Sequence, residues 1–175
     1  MEYVSWVENN ENELHISKEI DGILYNIQYR PVDYIVAKEK RKLELPKVEL
    51  EERVSKLNGA QYYSLRLNKA EGNEDILLYK IQGEQDYYER VNYCNAAMAE
   101  DIKLIEGKDT LYCTLFQYVP TYGVAPYADF VFSFDDKKYQ GDKILLFNDR
   151  IFGAGELQFQ IKEDAIKNIP DIITE

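Results

Sequence analysis

His15 is the only histidine in the chain, and Cys94 and Cys113 are the only cysteines. Nucleophilic catalysis needs a nucleophile, a base and a group that orients the base. Such a dyad would have to join His15, in a polar N-terminal stretch, to a distant cysteine or serine, and no spacing recommends it. Tetrahedral zinc wants four ligands, whereas the two cysteines show no CxxC motif and no companion histidines. No metal and no cofactor are therefore expected. A single disulfide or two buried thiols both suit Cys94 and Cys113, so cysteine usage leaves the compartment open.

Paired carboxylates do acid-base and glycosidic chemistry, and Asp135-Asp136 follows the apolar run 130–134. Neighbouring residues on a strand point to opposite sides, so these two make a poor dyad and read as the start of the turn Asp135-Asp136-Lys137-Lys138. Hydrolysis of sugar polymers by some other pair stays as an alternative, and it requires a cleft holding two carboxylates about 5 to 9 Å apart. The oxygen-rich stretches 8–13 and 68–75 lack the ligand spacing and bidentate glutamate of a calcium loop, and read as solvated turns. Gly153-Ala154-Gly155 lacks the spacing of a phosphate cradle and reads as a turn or bulge. No catalytic residue is assigned.

The most distinctive loop is Tyr118-Val119-Pro120-Thr121-Tyr122-Gly123-Val124-Ala125-Pro126-Tyr127. Two prolines and three tyrosines make a stiff aromatic segment with few conformations to lose on binding. Tyr118, Tyr122 and Tyr127 are the candidate rim of a ligand or partner site; the competing reading is a packed, wide connection between two strands. Tyrosine outnumbers phenylalanine 15 to 7. Its apolar body and wet tip suit half-buried strands as well as aromatic binding surfaces.

These residues must be positioned by an acidic chain of 175 residues with a formal net charge of −11. The field repels phosphate backbones, so nucleic acid is not an expected partner. The one basic run, Lys38-Glu39-Lys40-Arg41-Lys42, reads as the solvated C-terminal end of a helix, where cations suit the dipole. No run of about 18 apolar residues exists, so no membrane-spanning helix is expected. The first residues do not have the shape of a signal peptide. That leaves a cytoplasmic protein, or an exported one whose leader is absent from this sequence.

At this length one domain, residues 1–175, is expected, burying roughly 70% of the surface its unfolded chain exposes. Alternation of apolar and polar residues marks strands at 23–29 and 61–68, with Asp21-Gly22 turning residues 14–20 back onto the first as a hairpin. Pro31 stops that strand and opens a helix to residue 43. A second helix over 49–57 ends at Asn58-Gly59. Residues 76–81 read as a short strand, 84–90 as a short helix, and 93–105 as extended chain. After Asp109 the strands 110–119, 128–134, 143–147 and 155–161 read as an antiparallel meander. A last helical turn spans 163–168. The fold class is α+β: mainly antiparallel sheet, meander or sandwich-like, with two or three short helices.

Several short stretches resemble a family of lipoproteins of Bacteroidetes-type bacteria to which no activity is attached. They are Trp6-Val7-Glu8-Asn9 with Glu11-Asn12, residues 25–31 with Tyr34-Ile35, Asp101-Ile102 with Asp109-Thr110, Tyr122-Gly123 with Pro126-Tyr127, and Ile169-Pro170. The resemblance implies export behind a signal sequence and a lipid-bearing cysteine, both outside the given sequence. The family often carries His and Arg before the Tyr-Gly pair, where Gln117-Tyr118-Val119-Pro120 stands here. The expectation is an exported, envelope-tethered, non-enzymatic binding or assembly module with a protein or glycan partner. Its alternatives are the carboxylate-based hydrolase and a cytoplasmic interaction domain.

Overall fold

The computed structural model describes residues 2–43, 47–121 and 123–171. In chain order the elements are α1 (Glu2–Glu8), β1 (His15–Ile20), β2 (Ile23–Arg30), α2 (Val32–Leu43), α3 (Lys47–Leu57), β3 (Ala60–Lys69) and α4 (Glu84–Ala96). They continue as β4 (Ile102–Glu106), β5 (Asp109–Tyr112), β6 (Leu115–Val119), β7 (Tyr127–Asp135), β8 (Lys143–Asp149), β9 (Gly155–Ile161) and α5 (Glu163–Lys167). The fold is α+β with two antiparallel sheets, one ordered β1-β2-β3-β7-β6 and the other β5-β4-β8-β9.

The β1–β2 hairpin forms where the sequence predicts it. Ile20 pairs with Ile23, and the two residues between them, Asp21 and Gly22, both hold positive φ (51° and 79°). That is the turn whose twist matches the strands it joins. Along β2, Ile23, Tyr25 and Ile27 are buried, while Leu24, Asn26 and Gln28 on the other face are half-buried. On β3, Gln61, Tyr63, Leu65 and Leu67 point inward, and on β7 Ala128, Phe130, Phe132 and Phe134 do so. The second sheet answers with Ile102, Leu104, Leu145, Phe147, Leu157, Phe159 and Ile161, and both sets share one core. The arrangement is sandwich-like, and Tyr25 and Phe147 meet across it with ring centroids 6.4 Å apart. A satellite core of Val4, Val7, Leu14, Tyr34 and Ala165 joins α1, α2 and α5, with Tyr29 packed against both clusters.

Residues 3–7 lie in α1, where Val4 and Val7, three apart, are the buried pair, a spacing that shares a helix face. Three local readings are corrected. Ile76–Leu78 is a 3₁₀ turn, where a strand was expected. Ile76 and Leu77 are both buried, which a half-buried strand cannot offer to neighbours in sequence, and the Asp75 carboxylate accepts the Leu77 N–H at 2.9 Å. α4 runs on through Ala96, since Tyr87, Val91 and Cys94 pack on the core at helical spacing; extended chain begins only at Ile102. Residues 110–119 break at Cys113-Thr114, sending β5 to one sheet and β6 to the other, where Thr114 N–H donates to the Ser133 carbonyl at 2.9 Å.

The C-terminal strands consequently form two hairpins in different sheets, β6–β7 and β8–β9, and not one meander. Helices in the described residues number five, α1 to α5, with α2, α3 and the last helical turn where the sequence puts them. Cys94 is buried and Cys113 half-buried, and both are free thiols. Burial pushes each up to about 12, so neither is poised as a thiolate nucleophile.

Candidate functional site: an uncharged sheet edge

The tyrosine loop connects β6 to β7, and the strand register decides what each tyrosine faces. Tyr118 pairs with Phe130 and so lies on the core side of the sheet, stacked on that ring at 5.3 Å. Tyr127 pairs with Asn68 and lies on the outer side with Asp129. There the Arg66 guanidinium sits 3.7 Å from its ring centroid, while both Arg66 nitrogens reach the Asp129 carboxylate at 2.7 Å. Tyr118 and Tyr127 therefore sit on opposite faces of the sheet. Tyr122 lies outside the described residues. Thr121 ties the loop closed by donating to the Ala125 and Tyr127 carbonyls, and its own carbonyl accepts the Val124 N–H.

What the loop does border is β6. It is the last strand of the five-stranded sheet, with a strand neighbour on one side only among the described residues. Its outward face carries Leu115, Gln117 and Val119, and Leu115 is 48% and Val119 39% exposed. Tyr112, just before it at the end of β5, is also exposed. Residues 110–128 contain no Asp, Glu, Lys, Arg or His. That signal is legible in the sequence as a charge gap in an acidic chain, separate from the aromatic content of the loop.

The other described edges differ. β1 carries His15, Lys18 and Glu19, β9 carries Glu156 and runs into Lys162, and the four-residue β5 opens on Asp109. Charges on an edge, inward-pointing lysines and shortness are the usual protections against pairing with another chain. Lys18 is exposed on the side of the sheet that Tyr25 occupies, and its Nζ lies 5.6 Å from the Phe159 ring centroid.

Two cavities open beside the sheets. A groove of about 560 Å³ runs between β1 and β9, lined by Glu13, His15, Lys18, Gln158, Gln160 and Lys162 among others. Glu13 is its single carboxylate, already paired with Lys162 at 2.6 Å. Burial lowers the His15 imidazole below its ordinary value, with the Val7 carbonyl and Glu8 opposing. A smaller cavity of about 260 Å³ is lined by Ile23, Tyr25, Tyr79, Lys80, Arg90 and Phe152 among others, with Asp21 as its one carboxylate. Beside it the Tyr25 hydroxyl donates to Asp149 at 2.8 Å, and that carboxylate also accepts the N–H groups of Ile151, Phe152 and Ala154. The Asp149 bonds hold the β8–β9 connection in place.

Neither cavity supplies the carboxylate pair that a sugar hydrolase needs. Asp136 turns away into the loop after β7, where it is paired with Lys138. Among the described residues no three His, Cys, Asp or Glu converge on a point that could hold a metal ion, and no helix is long and apolar enough to cross a membrane. Comparison with protein-family models, with curated proteins and with solved structures found no match.

Proposed function

We propose that the chain is a non-enzymatic binding module that captures an extended segment of a protein partner along the β6 edge. The single observation that carries this reading is the contrast between β6, with one strand neighbour among the described residues and uncharged with apolar residues exposed, and the charged or shortened edges elsewhere. An unpaired strand edge offers main-chain N–H and C=O groups, and a peptide adding to it gains affinity from the backbone and specificity from alternate side chains. On a protein of net charge −11, the segment best matched alternates apolar residues and carries basic flanks.

The test uses a synthetic peptide of alternating valine and threonine flanked by lysines. Hydrogen exchange should show new protection of the β6 amides when it is added, and a Leu115→Lys/Val119→Lys double variant should lose it. Protection on β1 or β9 instead, or none at saturating peptide, would reject the reading. A concentration-dependent dimer that the same double variant dissociates would assign the edge to a second copy and not to a partner. Binding of oligosaccharides with no change at β6 would favour a glycan.

Export and an envelope tether belong to the same proposal and are supported by the resemblance in residues 6–12, 25–35 and 122–127. Fractionation of the native protein, with the mass of its N-terminal peptide, tests them. An unmodified N-terminus in the cytosolic fraction would return the chain to the cytoplasmic alternative.

A further inference from the structure

Three polar side chains meet in the core where the two sheets face each other. Gln61 is the second residue of β3, Glu106 ends β4 and Lys143 begins β8, the last two being register partners. All three point inward and are 3%, 3% and 6% exposed respectively. Lys143 Nζ lies 2.9 Å from Glu106 Oε1 and donates to Gln61 Oε1 at 2.7 Å. Gln61 Nε2 donates to the same Glu106 oxygen at 2.8 Å and to the Asp135 carbonyl at 3.0 Å. The Tyr63 hydroxyl donates to Gln61 Oε1 at 2.9 Å, and the ring of Tyr63 is stacked on Phe132 and edge-on to Phe134.

An amine, a carboxamide and one carboxylate that touches the nitrogen of both is the set that amide transfer requires. A purely structural buried ion pair is worth its desolvation only if its remaining lone pairs are satisfied. Glu106 Oε2 is buried with no hydrogen-bond partner among the described residues. Gln61 binds the pair through its whole amide, and a hydroxyl stands at the carbonyl oxygen.

We propose that Lys143 and Gln61 join in an intramolecular isopeptide bond across the two sheets, with Glu106 moving the protons and Tyr63 stabilising the oxyanion. Glu106 accepts a proton from the Lys143 ammonium, and the freed lone pair forms a bond from Nζ to Gln61 Cδ. The carbonyl π pair moves onto Oε1, where the Tyr63 O–H already points. Glu106 then delivers its proton to Nε2 and accepts one from the attacking nitrogen. The Oε1 pair re-forms the carbonyl, the Cδ–Nε2 bond breaks, and ammonia leaves with the last proton from Glu106 as ammonium. The reaction has no net redox change and needs no co-reactant. Burial raises the Tyr63 phenol well above its ordinary value, so it stays a donor throughout. Hydrogen bonds that already hold amine, carboxamide and carboxylate together replace a bimolecular encounter, and the burial of all three keeps water from competing.

Intact mass under denaturing conditions, with a tryptic map, tests this. The folded protein is expected to be lighter than its sequence by one ammonia and to yield a branched peptide joining the Gln61 and Lys143 segments. The branch is the deciding readout, because cyclisation at Asn58-Gly59 also loses ammonia but leaves the peptides separate. Lys143→Met and Glu106→Gln should both give the full sequence mass and no branch, and Tyr63→Phe should slow branch formation after refolding. A folded wild-type protein with the full mass and no branch after prolonged incubation overturns the proposal, whether or not any variant folds. A branch that persists in Glu106→Gln removes Glu106 from its role.

Discussion

The two edges of the five-stranded sheet are built to opposite specifications. β1 ends the sheet with His15, Lys18 and Glu19, while β6 ends it without one charged residue. Both rest on the same core: Ile16 of β1 pairs with Ile27, and Phe116 and Tyr118 of β6 stack on Phe130. The difference therefore lies in what each edge presents to solvent and not in how well it is supported. An edge free of protective charge leaves a protein open to association with another chain.

Removing the shared support is the largest perturbation. Phe130→Ala is expected to cost about 3 to 5 kcal/mol and Ile27→Ala about 2 to 5 kcal/mol in urea unfolding. Comparable losses would confirm that the edges share one foundation. A loss below about 1 kcal/mol at Ile27 would show that β2 does not organise the sheet as its pattern implies.

Next in size is Tyr25→Phe, close to the β1 side, which leaves one of the four hydrogen bonds to buried Asp149 unmade. A cost of about 1 to 3 kcal/mol is expected. An unchanged midpoint would mean that the three backbone donors satisfy that carboxylate alone.

Exchanging the edge chemistry should alter association with little effect on folding. Lys18→Val/Glu19→Val on β1 is expected to add concentration-dependent oligomers in light scattering, and Leu115→Lys/Val119→Lys on β6 to abolish peptide capture. Each should leave stability within about 0.5 kcal/mol per exposed site. If stripping β1 of charge left the protein monomeric, charge would not be what separates the two edges.

The smallest effect is a pH dependence at His15. Burial holds its folded pKa below the unfolded value of about 6.5, so below that pH the unfolded chain binds more protons. The contribution of His15 to stability is intact above the unfolded value and is lost as pH falls through it toward the folded one. His15→Gln should flatten the stability profile on the acid side, and an unchanged slope there would show that other groups set it.

Legibility in the sequence followed the range of the interaction. The β1–β2 hairpin was readable because Asp21-Gly22 and the alternation through Tyr29 are local, and the inward phase of β3 was readable for the same reason. The β6 edge was half readable: its tyrosines stood out, and its freedom from charge lay in plain view. Whether it is an edge depended on partners far along the chain. Gln61, Glu106 and Lys143 were not recognisable as a group, although Glu106 and Lys143 each occupy an apolar phase of their strand, and that misplacement is the trace they leave.

By itself, then, the sequence determined the strand phases, the turn at Asp21-Gly22, the stop at Pro31, the helix ending at Asn58-Gly59 and the acidic surface. Each follows from backbone geometry acting over a few residues. Only the tertiary structure decided that β6 and β7 join β3 while β8 and β9 join β4. It alone put Tyr118 and Tyr127 on opposite faces and brought an amine, an amide and a carboxylate into contact. Any amphipathic strand can pair with any other, so the choice rests on which arrangement buries the most apolar surface at once, and that is a property of the whole chain.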